Sequence, residues 1–200
     1  MRVVWDLCSG LGGFSEAFIE NEKYHVYRID NNDVFMGMVP RTWLEDVTSW
    51  MDWVDDYPKP DIILASPPCY EFSTAFSAPK AKAQRMNIEY EPNMKIVQCI
   101  LDIIDHVEPE IWIIENVKGA IEHFKKEPRL GNWDQRIGPF FFWGRFPGIA
   151  MLEDLHHTKK SVDPGKRDPL RANKRALIPY PISYAIYRMD RDQTSLLRWI

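Results

Sequence analysis

Cysteine is scarce in this 200-residue sequence: Cys8, Cys69 and Cys99 are the only three, and no two are spaced as CxxC. So sparse and odd a set excludes a disulfide framework and argues for a reducing compartment. Long apolar runs are lacking too, none reaching the roughly 18–20 residues of a membrane span. The chain opens on the strand-like Val3-Val4-Trp5 instead of a charged and then apolar leader. No secretory signal and no membrane partner are therefore expected, and the expected location is cytoplasmic. The GxGxxG spacing is missing, which argues against a dinucleotide cofactor. Repeats and low-complexity tracts are also missing, and the length suits a single domain, residues 1–200.

What is present reads as an ordinary globular chain, 45% hydrophobic and 27% charged. At this size one core can bury roughly 70% of the unfolded surface. Aromatics make up 13%, including eight Trp, so a few can line a base or adenine pocket after the core is filled. The net charge of -4 hides an asymmetry. Residues 118–175 hold 13 Lys/Arg against 7 Asp/Glu, whereas the rest hold 12 against 22. A basic segment on an acidic body suits a phosphate-facing edge, the alternative being a solvated loop.

Hydrophobic patterning predicts strands at Val3–Leu7, Tyr24–Ile29, Asp61–Ala65, Ile111–Ile114 and Phe140–Trp143. Helical spacing follows Phe14 to about Asn21 and recurs at Met94, Val97, Ile100, Leu101, Ile104 and Val107, with Pro92 a candidate first helical residue. Residues 120–126 suit one or two helical turns, and Pro181 leads into a last helix or two. Residues 72–91 and 153–175 read as loops. Strands alternating with helices imply an α/β fold, a mostly parallel sheet with helices on both faces.

Three strand ends carry chemistry. After the first comes Asp6-Leu7-Cys8-Ser9-Gly10-Leu11-Gly12-Gly13-Phe14, a glycine-rich turn that lets backbone approach a cofactor. Asp30 ends the second strand, where an acid can accept from two ribose hydroxyls, and Asp46 is placed to meet an adenine amino group. Ser66-Pro67-Pro68-Cys69 ends another, with two prolines stiffening the turn that carries the thiol. Glu115-Asn116-Val117 ends the next. A right-handed crossover sets these last two strands side by side, so Cys69 and Glu115 can act on one small molecule.

Asp6–Phe14, Pro67-Pro68-Cys69 with Phe72-Ser73, and Glu115-Asn116-Val117 resemble motifs of the cytosine-C5 DNA methyltransferase family, in that family's order. Ile178-Pro179-Tyr180-Pro181-Ile182 is similar to its last motif. The resemblance implies a Rossmann-like class I methyltransferase fold, S-adenosylmethionine as cofactor and a flipped-out cytosine in DNA as substrate. It implies that Cys69 adds to C6 of the base and Glu115 serves N3, with Pro68 and Asn116 holding the turns. It further implies that Phe14 packs on adenine, Asp30 holds the ribose, Asp46 takes the adenine amino group, and Asp6, Gly10, Gly12 and Pro67 complete the cofactor site. Residues 72–91 correspond to a loop over the flipped base, with Ser73, Lys80, Lys82 and Arg85 toward nucleic acid.

Three departures stand out. Only about 60 residues separate Glu115-Asn116-Val117 from the last motif, too few for a target-recognition domain. Short or relaxed specificity, or a separate specificity partner, is expected, and so compact an enzyme would suit a phage, with restriction–modification one setting. The two arginines that the family places before its sixth strand are replaced by Ile137 and Pro139, which leaves Arg136 or Arg145 to compensate. The asparagine that opens the last motif is replaced by Ala176, with Asn173 close but out of register. Two alternatives stay open: an RNA cytosine-C5 methyltransferase, and a non-catalytic cofactor-binding partner of another methyltransferase. An amino methyltransferase is the weaker reading, because that chemistry needs no cysteine.

Overall fold

A computed structural model describes residues 1–155, 157, 163–165 and 167–196, with side chains described to residue 192. Seven strands form one sheet: β1 (Arg2–Leu7), β2 (Tyr24–Asp30), β3 (Thr42–Leu44), β4 (Ile62–Ala65), β5 (Ile111–Asn116), β6 (Gln135–Ile137) and β7 (Phe140–Arg145). Their spatial order is β3-β2-β1-β4-β5-β7-β6. The first five are parallel, and β7 and β6 run antiparallel. The chain winds outward from β1 in both directions, so the cleft at the carboxyl ends of β1 and β4 is where such sheets bind ligands.

All four residues of β4 are buried, because both faces of the sheet are covered. On one face lies α4 (Lys95–Val107), with Val97, Ile100, Leu101, Ile103, Ile104 and Val107 buried at helical spacing against Trp5, Ile63 and Trp143. On the other face Phe18, of α1 (Glu16–Ile19), and Ile182, Ala185 and Ile186, of α7 (Tyr180–Leu196), pack on Val4, Val26 and Leu64. Each fully buried Ile or Leu contributes about 1.5–3 kcal/mol. Among the described residues no helix is long and apolar enough to cross a membrane.

The α/β expectation holds, with local corrections. The helix predicted from Pro92 begins at Lys95, whose N–H is held by the Asn93 side chain at 2.9 Å. Residues 72–91 are not all loop: Pro79 opens α3 (Pro79–Arg85), where a proline costs no intrahelical bond. The helix after the glycine turn is only four residues long. Phe140–Arg145 is antiparallel, because Gly138-Pro139 turns β6 directly into it with Gly138 at φ +56°. Within 153–175, α6 (Arg171–Ala176) emerges from sequence with no apolar periodicity. The two remaining helices are α2 (Asp33–Met38) and α5 (Ile121–Phe124).

Candidate active site

The glycine turn is built by backbone conformation and one acid. Cys8, Gly10 and Gly12 all have positive φ, at 56°, 52° and 75°. Asp30 Oδ2 accepts from Gly10 N–H at 2.8 Å, and its Oδ1 accepts from Asn32 N–H at 3.0 Å. Each oxygen keeps a second lone pair for a ligand hydroxyl. A Cβ on Gly10 would meet nothing within 4 Å, since this residue faces the cavity.

Asp6 and Gly12 lie behind the turn and are not among the residues that line the cavity. Asp6 is fully buried and accepts from Ser15 Oγ at 2.6 Å. Burial pushes its carboxyl up to about 6, opposed by the Ser15 hydrogen bond and the Arg28 charge. Arg28, itself buried, donates to Ser15 Oγ, to Gly12 O and to Glu16. A Cβ on Gly12 would lie 2.4 Å from the Arg28 guanidinium. These groups shape the turn from beneath.

The cavity beside the turn measures about 780 Å³, within the roughly 300–1,000 Å³ typical of small-molecule sites. Asp30, Glu45 and Asp46 line it near the ends of β2 and β3, with Phe14, Ile29, Phe35 and Val47 as apolar wall. Asp46 Oδ1 accepts from Thr48 N–H at 2.7 Å and its Oδ2 from the Asn31 amide at 3.2 Å. The Thr48 backbone hydrogen bond leads in holding its carboxyl below the usual range. A diol and an aromatic amine beside apolar walls suit this end, so the residues present fit an adenosine.

Pro67, Pro68, Cys69, Tyr70 and Ser73 line the same cavity, as does Glu115. Ala65 of β4 pairs with Ile114 of β5, so the two loops leave the sheet together. Cys69 is half-buried and starts a short helical turn, with its carbonyl accepting from Phe72 and Ser73 N–H at 3.1 and 2.9 Å. Asn116 is fully buried outside the cavity; its Nδ2 donates to Pro67 O at 3.0 Å, and its Oδ1 accepts from Val117 N–H at 2.9 Å. That clasp joins the cysteine loop to the glutamate strand.

A second junction went unnoticed in the sequence. Gly119 sits so close to Phe72 that a Cβ there would lie 1.9 Å from Phe72 O. Phe72 is buried against Phe124, ring centres 5.3 Å apart. Lys80 is drawn to this junction, donating to Gly119 O at 3.3 Å and lying 3.8 Å from Glu122. It therefore points inward, toward the 118–122 turn. Lys82 and Arg85 are exposed, and the Arg85 guanidinium stacks 4.0 Å above the Phe76 ring. Arg136 is exposed at the site end of the sheet, opposite Phe141. Arg145 is not near the site: it pairs with Trp112 at the far end of β5 and donates to the Glu110 and Pro109 carbonyls.

Arg171, Asn173 and Arg175 of α6 also line the cavity, with His157 and Pro139. The signal for them was the four-residue spacing of Arg171 and Arg175, which places both on one helical face.

A family model described as C-5 cytosine-specific DNA methylase matches residues 2–133. No curated protein is similar enough to be matched. Among solved structures, the Spodoptera frugiperda DNMT2 E260A/E261A/K263A mutant is similar at 17% identity and TM-score 0.46, over 84% of this chain and 61% of that one. TrmN from Thermus thermophilus is similar at 15% identity and TM-score 0.45, over 72% and 42%. A fibrillarin/Nop5p complex is similar at 10% and 0.42, over 72% and 71%. The chain thus spans 61% of the DNMT2 chain's length. Because the family match runs from β1 past both strand-end loops, the chain belongs to the C-5 cytosine-specific DNA methylase family, and S-adenosylmethionine is its cofactor.

Proposed function

We propose that this protein transfers a methyl group from S-adenosylmethionine to C5 of cytosine in DNA, with Cys69 as nucleophile and Glu115 as the group at N3. One observation carries the reading: Cys69 and Glu115 leave neighbouring strands onto one cavity, clasped together by Asn116. The bound cofactor supplies an electrophilic methyl at the sulfonium. Cys69 Sγ, as thiolate, forms a bond to C6 while Glu115 donates a hydrogen bond or proton to N3, which withdraws charge from the ring. C5 becomes nucleophilic and takes the methyl. A base then removes the C5 proton, the C6–S bond breaks, and the Cys69 thiolate is regenerated. Pro68, fixed at φ -49°, holds the backbone that presents Cys69. Asp30 and Asp46 hold the adenosine, Phe14 and Gly10 bound the cofactor, and Pro67 closes the floor between cofactor and base.

The target base has to leave the helix or start single-stranded. The segment after Cys69 suits this: Phe76 is 81% exposed, stacked by Arg85, with Tyr70, Ser73 and Lys82 nearby in sequence. Arg136 extends the cationic edge. Phe76→Ala should raise the KM for a DNA oligonucleotide about 5- to 150-fold, the range of one lost base–aromatic stack. Cofactor affinity should stay unchanged, and an unaltered KM would remove Phe76 from the interface. With only about 60 residues between Glu115-Asn116-Val117 and the Ile178–Ile182 motif, sequence specificity is short or relaxed, or supplied by a partner.

The deciding assay offers purified protein labelled S-adenosylmethionine with cytosine-containing DNA and RNA, followed by bisulfite sequencing. Label at DNA cytosines is expected. Label confined to RNA replaces the substrate. A protein that binds cofactor yet labels neither overturns the enzymatic reading in favour of a cofactor-binding partner.

A further inference from the structure

The cavity is electrically uneven. Three of its acids, Asp30, Glu45 and Asp46, gather near the ends of β2 and β3, whereas α6 brings two arginines to its wall, Arg171 and Arg175. The two arginines are not equivalent. Arg171 is committed to Asp163 through two hydrogen bonds of 2.7 and 2.6 Å. Arg175 reaches the same carboxylate only at 3.8 Å, and its Nε is buried with no hydrogen-bond partner among the described residues. Lys174, between them, is tied to Asp168 at 2.7 Å. Among the described residues one carboxylate thus faces two cations, and the surplus positive charge is that of Arg175.

The position of α6 selects the anion that would answer it. The residues just after Arg175 are pressed onto the glycine turn: a Cβ on Gly13 would lie 2.4 Å from Ile178 O and 2.5 Å from the Leu177 side chain. Arg175 thus stands two residues before a segment packed on the glycine turn, the same turn whose Gly10 N–H is held by Asp30. A cofactor whose ribose sits at Asp30 and whose methyl faces Cys69 must carry its amino-acid end past that turn. We infer that Arg175 binds the α-carboxylate of S-adenosylmethionine, with Asp163 and Arg171 bracing it. A planar guanidinium fork suits a carboxylate.

This rests on S-adenosylmethionine filling the cavity, and binding alone tests it. Calorimetry compares S-adenosylhomocysteine, which carries the carboxylate, with 5′-methylthioadenosine, which keeps the nucleoside and thioether but lacks the amino acid. Wild-type protein should prefer the first. Arg175→Gln should weaken S-adenosylhomocysteine about 10- to 150-fold, the range of a hydrogen bond to a charged group, with 5′-methylthioadenosine within about twofold. Arg175→Lys should recover part of the loss, since it restores charge without the fork. An equal loss on both ligands, or no loss on either, overturns the inference. So does a variant that keeps its S-adenosylhomocysteine affinity but loses DNA affinity, which would put Arg175 on a phosphate. Failure of wild-type protein to bind either nucleoside strikes the cofactor assignment itself.

Discussion

Cys69→Ala should reduce methyl transfer by at least about 10⁴-fold, the scale of losing a covalent nucleophile, while S-adenosylhomocysteine still binds. The side chain is half-buried on a loop beyond the sheet, so its removal leaves the core untouched. The complementary measurement uses DNA containing 5-fluorocytosine. Fluorine at C5 cannot leave as a proton, so elimination stalls and the wild-type protein should stay bonded to the base in denaturing gels. Cys69→Ala should give no adduct. Retained activity without Cys69 would mean that an exocyclic amine, which needs no thiol, accepts the methyl. Glu115→Gln separates the other half of the chemistry: full activity there would remove Glu115 from N3.

Gly119→Ala should be the most damaging single methyl in the molecule's active region. The clash is backbone on backbone, 1.9 Å from Phe72 O and 3.0 Å from its carbonyl carbon, so no rotamer relieves it. The turn at 118–120 and the loop starting at Cys69 must separate. Overpacking of this kind costs about 1–3 kcal/mol. The rate should suffer more, because displacing a reacting group by about 1 Å costs about 100-fold. Gly37→Ala is the control: nothing lies within 4 Å of its Cβ, and it sits inside α2, where alanine is the better helix former. Its melting temperature and activity should hold or rise slightly. A Gly119→Ala protein of normal rate would show that the junction does not position Cys69.

The residues legible in the sequence were those whose position follows from strand ends alone. Cys69, Glu115 and Asp30 each stand just past or at the end of a buried strand, and the parallel crossovers bring such ends to one edge. Asp6 and Gly12 occupy the same motif as Gly10, but their side of the turn is decided by Arg28, which comes from β2 and fills the space beneath. Where Arg145 lies could not be read from hydropathy, which carries no strand direction: once Gly138-Pro139 reverses the chain, the end of β7 lies at the start of β5. Lys80 follows from a tertiary contact with Gly119 O that spacing cannot encode. For α6, polar sequence hid a helix whose cavity-facing side is cationic rather than apolar.

The double attachment of the cysteine loop also has a kinematic meaning. Asn116 holds Pro67, and Gly119 meets Phe72, so the stretch between them is fastened at both ends to the β5 side of the sheet. Beyond Phe72 the exposed Phe76 and the α3 segment follow, held to that side by Lys80, which donates to Gly119 O and lies 3.8 Å from Glu122, and tied back to the cysteine loop by Tyr90, whose hydroxyl donates to Glu71. The seat of the thiol is therefore set by these two junctions with the β5 side of the sheet and not by the α3 arm.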